Sequence, residues 1–197
     1  MKICFIILAH HQPRIFHKLI KQLCWDNSDI VVHIDRRSNF KEFEITGHDN
    51  IHFIKSRKKV HWGGWSLTRT ICECLEYGLA VSDADYFMYL AGTDFPIKDR
   101  QFISRVLASK HPTNFLNYYP LVPGIWGYQL IRDYRFIDLK ARFMDTRNGE
   151  QSGYKLKIKK FLAGCVDKLE REFNTRFLPR KNNWIYFYSG SSRWCLN

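Results

Sequence analysis

Four short polar segments carry residue types from which a ligand site is built, and each follows an apolar run. They are His10-His11, Asp35-Arg36-Arg37-Ser38, Gly92-Thr93-Asp94 and Ser189-Gly190-Ser191. A carboxylate such as Asp35 or Asp94 accepts hydrogen bonds from the N–H of a base or the hydroxyls of a sugar. A guanidinium such as Arg36 offers a planar fork of donors that fits phosphate. Taken singly, each segment is also an ordinary turn. They make a site only if the chain delivers them to one end of a sheet.

The elements that would do so are legible in the hydrophobic pattern. Ile3-Cys4-Phe5-Ile6-Ile7-Leu8 is a continuous apolar run, which predicts a strand covered on both faces. Pro13 suits a first helical turn, and Ile15, Phe16, Leu19, Ile20 and Leu23 follow at helical spacing. Ile30-Val31-Val32-His33-Ile34 is a second strand that runs into Asp35. Strand, helix and strand in this order predict a parallel unit with a right-handed crossover. Ile51-His52-Phe53-Ile54 is a third strand, and residues 60–65 form a glycine-containing loop. Ser66 is the expected N-cap of a helix with Leu67, Ile71, Leu75 and Leu79 inward. Tyr86-Phe87-Met88-Tyr89-Leu90-Ala91 is a fourth strand. Asp99 is expected to cap a helix with Phe102, Ile103, Val106 and Leu107 inward. Residues 114–118 read as a further strand, 154–173 as a basic amphipathic helix with Leu156, Leu162, Val166 and Leu169 inward, and 185–188 as a last strand. The fold class is α/β, with residues 1–197 expected to form one domain. In open parallel sheets ligands bind beyond the carboxyl ends of the strands, where the four polar segments fall.

Composition narrows the partners. The chain has 197 residues, 45% hydrophobic and 16% aromatic, which is enough for a packed core. Its formal net charge of +12 favours an anionic partner: nucleic acid, an anionic membrane face or a phosphorylated substrate. The six cysteines form no Cys-x-x-Cys pair and no zinc spacing, so they are expected to be reduced and mostly buried. The opening apolar run continues into His10-His11-Gln12-Pro13-Arg14 with no small-residue cleavage site, and reads as a strand. No segment is long enough to span a membrane. No Gly-x-Gly-x-x-Gly, phosphate-loop or Gly-x-Ser-x-Gly pattern occurs, which disfavours a dinucleotide dehydrogenase, a P-loop NTPase or a serine hydrolase. In many nucleotide-sugar transferases an Asp-x-Asp pair holds a divalent metal on the diphosphate. The match here, Asp83-Ala84-Asp85, precedes the fourth strand. At about 3.3 Å per residue it lies on the order of 20 Å from the strand's carboxyl end. It is therefore expected to be a surface turn, and no metal or other cofactor is expected. Charge on a leaving diphosphate would fall to Lys and Arg.

Three longer motifs resemble a known family. Val60-His61-Trp62-Gly63-Gly64-Trp65-Ser66-Leu67 is similar to its Val-x-Trp-Gly-Gly-x-Ser motif. Tyr86 to Ile97, through Leu90-Ala91-Gly92-Thr93-Asp94-Phe95-Pro96, is similar to its Tyr-x-x-x-Leu-Ser-Gly-x-Asp-x-Pro-Ile motif. Gly190-Ser191-Ser192-Arg193-Trp194-Cys195-Leu196 resembles its Gly-Ser-x-Trp-x-Leu motif. Leu8-Ala9-His10 and His33-Ile34-Asp35 with Ser38 fit in order. The family is the core-2/I-branching β-1,6-N-acetylglucosaminyltransferases, which includes the peptide O-xylosyltransferases. The resemblance implies a glycosyltransferase A-type, Rossmann-like mixed sheet flanked by helices. It implies an inverting, metal-independent enzyme that moves a sugar, N-acetylglucosamine or xylose, from a UDP-sugar to a glycan or lipid-linked acceptor. Under it, His10, Asp35, Arg36, Trp62, Gly63, Gly64, Ser66, Gly92, Thr93 and Asp94 serve the donor. Gly190, Ser191 and Trp194 serve the acceptor.

The family's acidic general base falls after the Gly-Ser-x-Trp motif, and the resemblance places it beyond Asn197. Glu150, Glu170 and Glu172 match no family motif. The expectation is a bacterial-type, C-terminally truncated member, cytoplasmic or at the inner membrane face. Two alternatives accompany it. One is an inactive donor-binding domain; the other is a basic RNA-binding module using the mixed basic and aromatic residues of 132–147 and 154–176. Lys155, Lys157, Lys159 and Lys160 of the predicted helix also suit anionic lipid.

Overall fold

The computed structural model of the chain describes residues 1–120, 139–140, 143, 154–176, 188–190 and 194–197. They belong to two compact units. One comprises Met1–Val60, Thr68–Asn117 and Ser191–Asn197, the other His61–Leu67 and Tyr118–Gly190. The expected strand residues 185–187, the segment 132–138 and Ser191 lie outside the described residues.

The first unit is built on β1 (Ile3–Ala9), β2 (Ser28–Ile34), β3 (Ile51–Phe53) and β4 (Tyr86–Ala91), all parallel, with β7 (Cys195–Leu196) antiparallel at the edge. The order is β3-β2-β1-β4-β7. β1 and β2 are buried along their whole length, as their unbroken apolar runs require. On one face Ile3, Phe5, Ile7 and Ala9 join Ile30, Val32 and Ile34 in a core with Phe16, Leu19, Ile20 and Leu23 of α1 (Pro13–Leu23) and Leu107 of α3 (Arg100–Lys110). The opposite face receives α2 (Trp65–Val81) at close range. A methyl group at Gly78 would lie 3.1 Å from Ile6 Cδ1 and 3.3 Å from Cys4 Sγ. Helices on both faces of a mostly parallel sheet are the α/β architecture expected from the sequence.

Several predicted faces are corrected. α2 turns Thr70, Cys74 and Gly78 inward, while Leu79 is exposed and Leu67, Ile71 and Leu75 are half-buried. The β1 side chains leave little room, so the helix approaches through its small-residue stripe. Ile15 and Phe102 are also exposed, each in the first turn of its helix, before the part that crosses the sheet. Ser66 is not the N-cap: α2 begins at Trp65, and Ser66 Oγ accepts the His61 N–H at 3.0 Å, pinning the preceding loop. Asp99 does cap α3, accepting the Phe102 N–H at 2.7 Å. In place of a strand over 114–118, Phe115 exchanges backbone hydrogen bonds with Cys195 and the chain pairs again only at β5 (Tyr118–Pro120).

In the second unit β5 pairs antiparallel with β6 (Tyr188–Gly190), Tyr118 opposite Gly190. Its helix α4 (Tyr154–Arg176) buries Ala163, Val166 and Glu170. Leu162 and Leu169 are exposed, against expectation. The leucines of α4 cover a broad arc, and the packed arc is the neighbouring one centred on Ala163 and Glu170. Asp167 pairs with Lys140.

Candidate functional site

The register of the parallel strands fixes where the polar segments emerge. Ala9 pairs with Ile34, and Leu8 with Ala91. One step further on, Asp35 N donates to Ala9 O at 2.9 Å and Gly92 N to Leu8 O at 2.8 Å. His10 and Asp35 therefore leave the sheet at one level and Gly92 one residue earlier, beside Ala9, on three adjacent strands. The strand order reverses between β1 and β4, so His10 and Gly92 flank the topological switch point, where α/β sheets bind ligands.

Asp35 is buried, and N–H groups of Arg37 and Val60 converge on its carboxylate. Arg37 N and Nε reach Oδ1 at 2.9 and 3.0 Å, while Arg37 Nη2 and Val60 N each reach Oδ2 at 2.9 Å. Burial alone would raise its pKa. The Arg37 side chain, the backbone N–H groups of Arg37 and Val60 and the guanidinium charge outweigh that and hold the carboxyl well below the usual range. Arg37, not Arg36, is thus the partner of Asp35, and the carboxylate organises the loop that follows β2. Arg36 is exposed and donates its backbone N–H to Lys58 O. Its guanidinium has no partner among the described residues.

Arg57 ties the same loop from the other side. Its Nε donates to Ile34 O at 3.0 Å, and its Nη2 to Asp35 O and Ser38 O at 2.7 and 2.6 Å, with Phe40 beneath the guanidinium. Ser38 Oγ donates to His10 O at 2.7 Å, joining the ends of β1 and β2. Next to it, buried His33 accepts the Lys58 N–H on Nε2 at 3.0 Å; burial pushes its pKa down to about 4. Lys58 and Arg69 both pair with Glu73. Arg57 was not legible as a loop clamp. It lies in Lys55-Ser56-Arg57-Lys58-Lys59, a charge run of the kind that is usually a solvated face.

At the end of β4, Gly92 is buried and a Cβ there would lie 2.4 Å from Ala9 Cβ. Only glycine lets β4 leave the sheet against β1 at this point. Asp94 Oδ2 accepts the Ala91 N–H at 2.8 Å and Asp94 N donates to Ala91 O, so the carboxylate is held in a tight turn beside exposed Thr93. His10 and His11 are exposed, their rings 4.1 Å apart. Trp194 stacks on Tyr89 at 5.9 Å and accepts the Tyr89 N–H on its backbone oxygen, which ties it to β4. Asp83 and Asp85 stand at the amino end of β4, bound to Lys2: Asp83 to its ammonium at 2.6 Å, Asp85 to its backbone N–H at 2.7 Å. Among the described residues, no group of three or more His, Cys, Asp or Glu side chains is placed to hold a metal ion.

The structure thus brings His10, Asp35, Arg36, Gly92, Thr93 and Asp94 to one end of the sheet in the first unit, which also contains Trp194. Trp62, Gly63, Gly64, Ser66 and Gly190 belong to the second unit. There Gly63 has φ +72, and Trp62 and Trp65 are both strongly exposed.

Human xylosyltransferase 2 is 26% identical over 123 residues, and a xylosyltransferase of Ciona intestinalis is 26% identical over 122. Rat xylosyltransferase 1 is 25% identical over 123. Each alignment covers 59% of this chain but only 14–15% of the relative's length. Residues 3–122, more than half of the chain and all of β1 to β5, match the sequence model of the Core-2/I-Branching enzyme family, and the chain belongs to that family.

Proposed function

We propose that this chain binds the nucleotide of a UDP-sugar beyond the carboxyl ends of β1, β2 and β4 and serves glycosyl transfer to a glycan or lipid-linked saccharide. The observation that carries the reading is that His10, Asp35 and Gly92 leave three adjacent parallel strands within one residue of a common level at the switch point. Asp35 holds the β2 loop in place, through Arg37 and Val60. Arg36, exposed on that loop, supplies the guanidinium for phosphate. Asp94, Thr93 and His10 bring hydrogen-bonding groups to the sugar diphosphate. The donor roles of Trp62, Gly63, Gly64 and Ser66, and the acceptor roles of Gly190, Ser191 and Trp194, are proposed on motif similarity. The motif resemblance favours N-acetylglucosamine as the transferred sugar, and the names of the relatives favour xylose.

Metal independence is part of the proposal. It is supported by the placement of Asp83-Ala84-Asp85, which Lys2 engages at the opposite end of the sheet. Cationic side chains then neutralise the leaving diphosphate. Isothermal titration with UDP, UDP-N-acetylglucosamine and UDP-xylose tests the reading. Binding that persists in EDTA and weakens about tenfold in Arg36→Ala is expected, one charge-assisted phosphate contact being worth about that much. A folded chain that bound no uridine nucleotide would defeat the donor reading. Binding that vanished in EDTA and returned with manganese would defeat metal independence alone. RNA affinity falling steeply with salt, with no UDP binding, would favour the nucleic-acid alternative.

A further inference from the structure

We propose that α4 is a membrane-surface helix that lies in the headgroup region of an anionic bilayer. The proposal follows from the corrected packing face. Ala163, Val166 and Glu170 bury one side of the helix. On the neighbouring, solvent-facing arc Tyr154 is 78% exposed, Phe161 71% and Leu169 55%, with Ile158 and Leu162 also exposed. At about 100° per residue these five fall within an arc of roughly 100°, and they run along about 22 Å of helix. Scattered apolar residues are normal on a surface; a continuous stripe of this length is not.

Beside the stripe runs a basic band. Lys157, Lys160, Lys168 and Arg171 are all exposed and lie along one flank of the apolar arc. Between them Gly164 is open, since a methyl group there would meet nothing within 4 Å. Of the acidic residues, Asp167 is paired with Lys140, and Glu172 closes the stripe at its carboxyl-terminal end. An apolar face with Lys and Arg along its border is the pattern of a helix that seats its rings and leucines among acyl chains while its cations meet anionic headgroups. The band also argues against a second copy as the occupant. A chain of net charge +12 would bring like charge against like charge. Among the described residues no helix is long and apolar enough to cross a membrane, so the contact would be interfacial.

Co-sedimentation of the full chain with phosphatidylcholine vesicles, with and without phosphatidylserine, tests this. The expected result is retention on the phosphatidylserine vesicles only, weakened by salt. Phe161→Glu with Leu169→Glu should cut binding at least about tenfold, because each places a charge where an apolar side chain enters the acyl region. Lys157→Glu with Lys160→Glu should abolish the preference for phosphatidylserine. All four positions are exposed, so unfolding temperature and UDP titration should match the unsubstituted chain, which separates failure of this proposal from failure of the donor reading. A folded chain that ignores anionic vesicles, or one whose retention survives the glutamates at 161 and 169, overturns the proposal. So does a dimer in sedimentation velocity that Phe161→Glu dissociates, because a second copy then owns the stripe.

Discussion

His33 stands two residues before Asp35, fully covered, with Nε2 committed to accepting the Lys58 N–H. Desolvation opposes its protonation; the carboxylate of Asp35 favours it, and Arg57 opposes it again. The folded pKa is pushed down to about 4 from an ordinary 6.5. An unfolded chain therefore takes up a proton on His33 at a pH where the folded chain does not. The resulting stability is fully present above pH 6.5 and is lost as pH falls toward 4, roughly 3 kcal/mol over that window. Asp35, also depressed, adds the same sign of dependence below the ordinary carboxylate range. Urea unfolding at a series of pH values should show about one proton's worth of slope between pH 6.5 and 4, and His33→Gln should flatten it. An unchanged slope in that variant would place the titration elsewhere. Of this site the sequence showed the residue types and their order. It did not show that Arg37 rather than Arg36 closes on Asp35, because adjacent arginines in a turn differ only in direction. Nor did it show Arg57, whose three carbonyl acceptors come from Ile34, Asp35 and Ser38, about twenty residues away.

The elements were legible where hydrophobic runs were long. β1, β2, β4 and α1 follow from unbroken apolar segments and 3.6-residue spacing. Packing faces were less so, because a sequence marks apolar positions without saying how close a partner can come. α2 illustrates this: large residues lie to the sides, and Thr70, Cys74 and Gly78 make the approach to Cys4 and Ile6. Gly92 is the corresponding close approach between strands. Adding a methyl there places it 2.4 Å from Ala9 Cβ and 3.0 Å from Ala9 Cα. Neither is the end of a flexible side chain, so β4 must shift. Gly92→Ala should destabilise the chain by about 2 kcal/mol in urea unfolding, within the usual cost of overpacking. It should also weaken UDP binding more than stability alone explains, since the displaced segment carries Thr93 and Asp94. Ala9→Gly in the same chain should recover part of the stability by removing the nearer contact. Full stability in Gly92→Ala alone would show that β4 has room the geometry denies it.

At the scale of the molecule, the first unit is closed by residues far apart in the chain. β7 pairs with β4, Met88 opposite Cys195, and Phe115 exchanges two backbone hydrogen bonds with Cys195 at 2.8 and 3.0 Å. Asn197 donates from its backbone to Asn114 Oδ1 and from its side chain to Asp85 O. Trp194 lies on Tyr89. None of this was legible ahead of the structure, because two residues of strand have no periodicity and their partners lie about a hundred positions earlier. The consequence is a topological one. β4 carries the Gly92-Thr93-Asp94 segment, and β7 with Phe115 is what covers its outer edge. A chain ending at Gly190 would leave the N–H and C=O groups of β4 unpaired along that edge, next to the freed rings of Tyr89 and Phe115. Such an edge is a template for pairing with another chain. The loss of several backbone hydrogen bonds and one stacked indole should cost about 3 kcal/mol or more. The expected outcome for the chain shortened to 1–190 is a lower thermal midpoint, concentration-dependent aggregation and weaker UDP binding. Trp194→Ala should give a smaller fall in midpoint without the aggregation, because the backbone pairing of Cys195 is kept. A shortened chain that stayed monomeric and unfolded at the original temperature would show that β7 is an ornament on β4 rather than its closure.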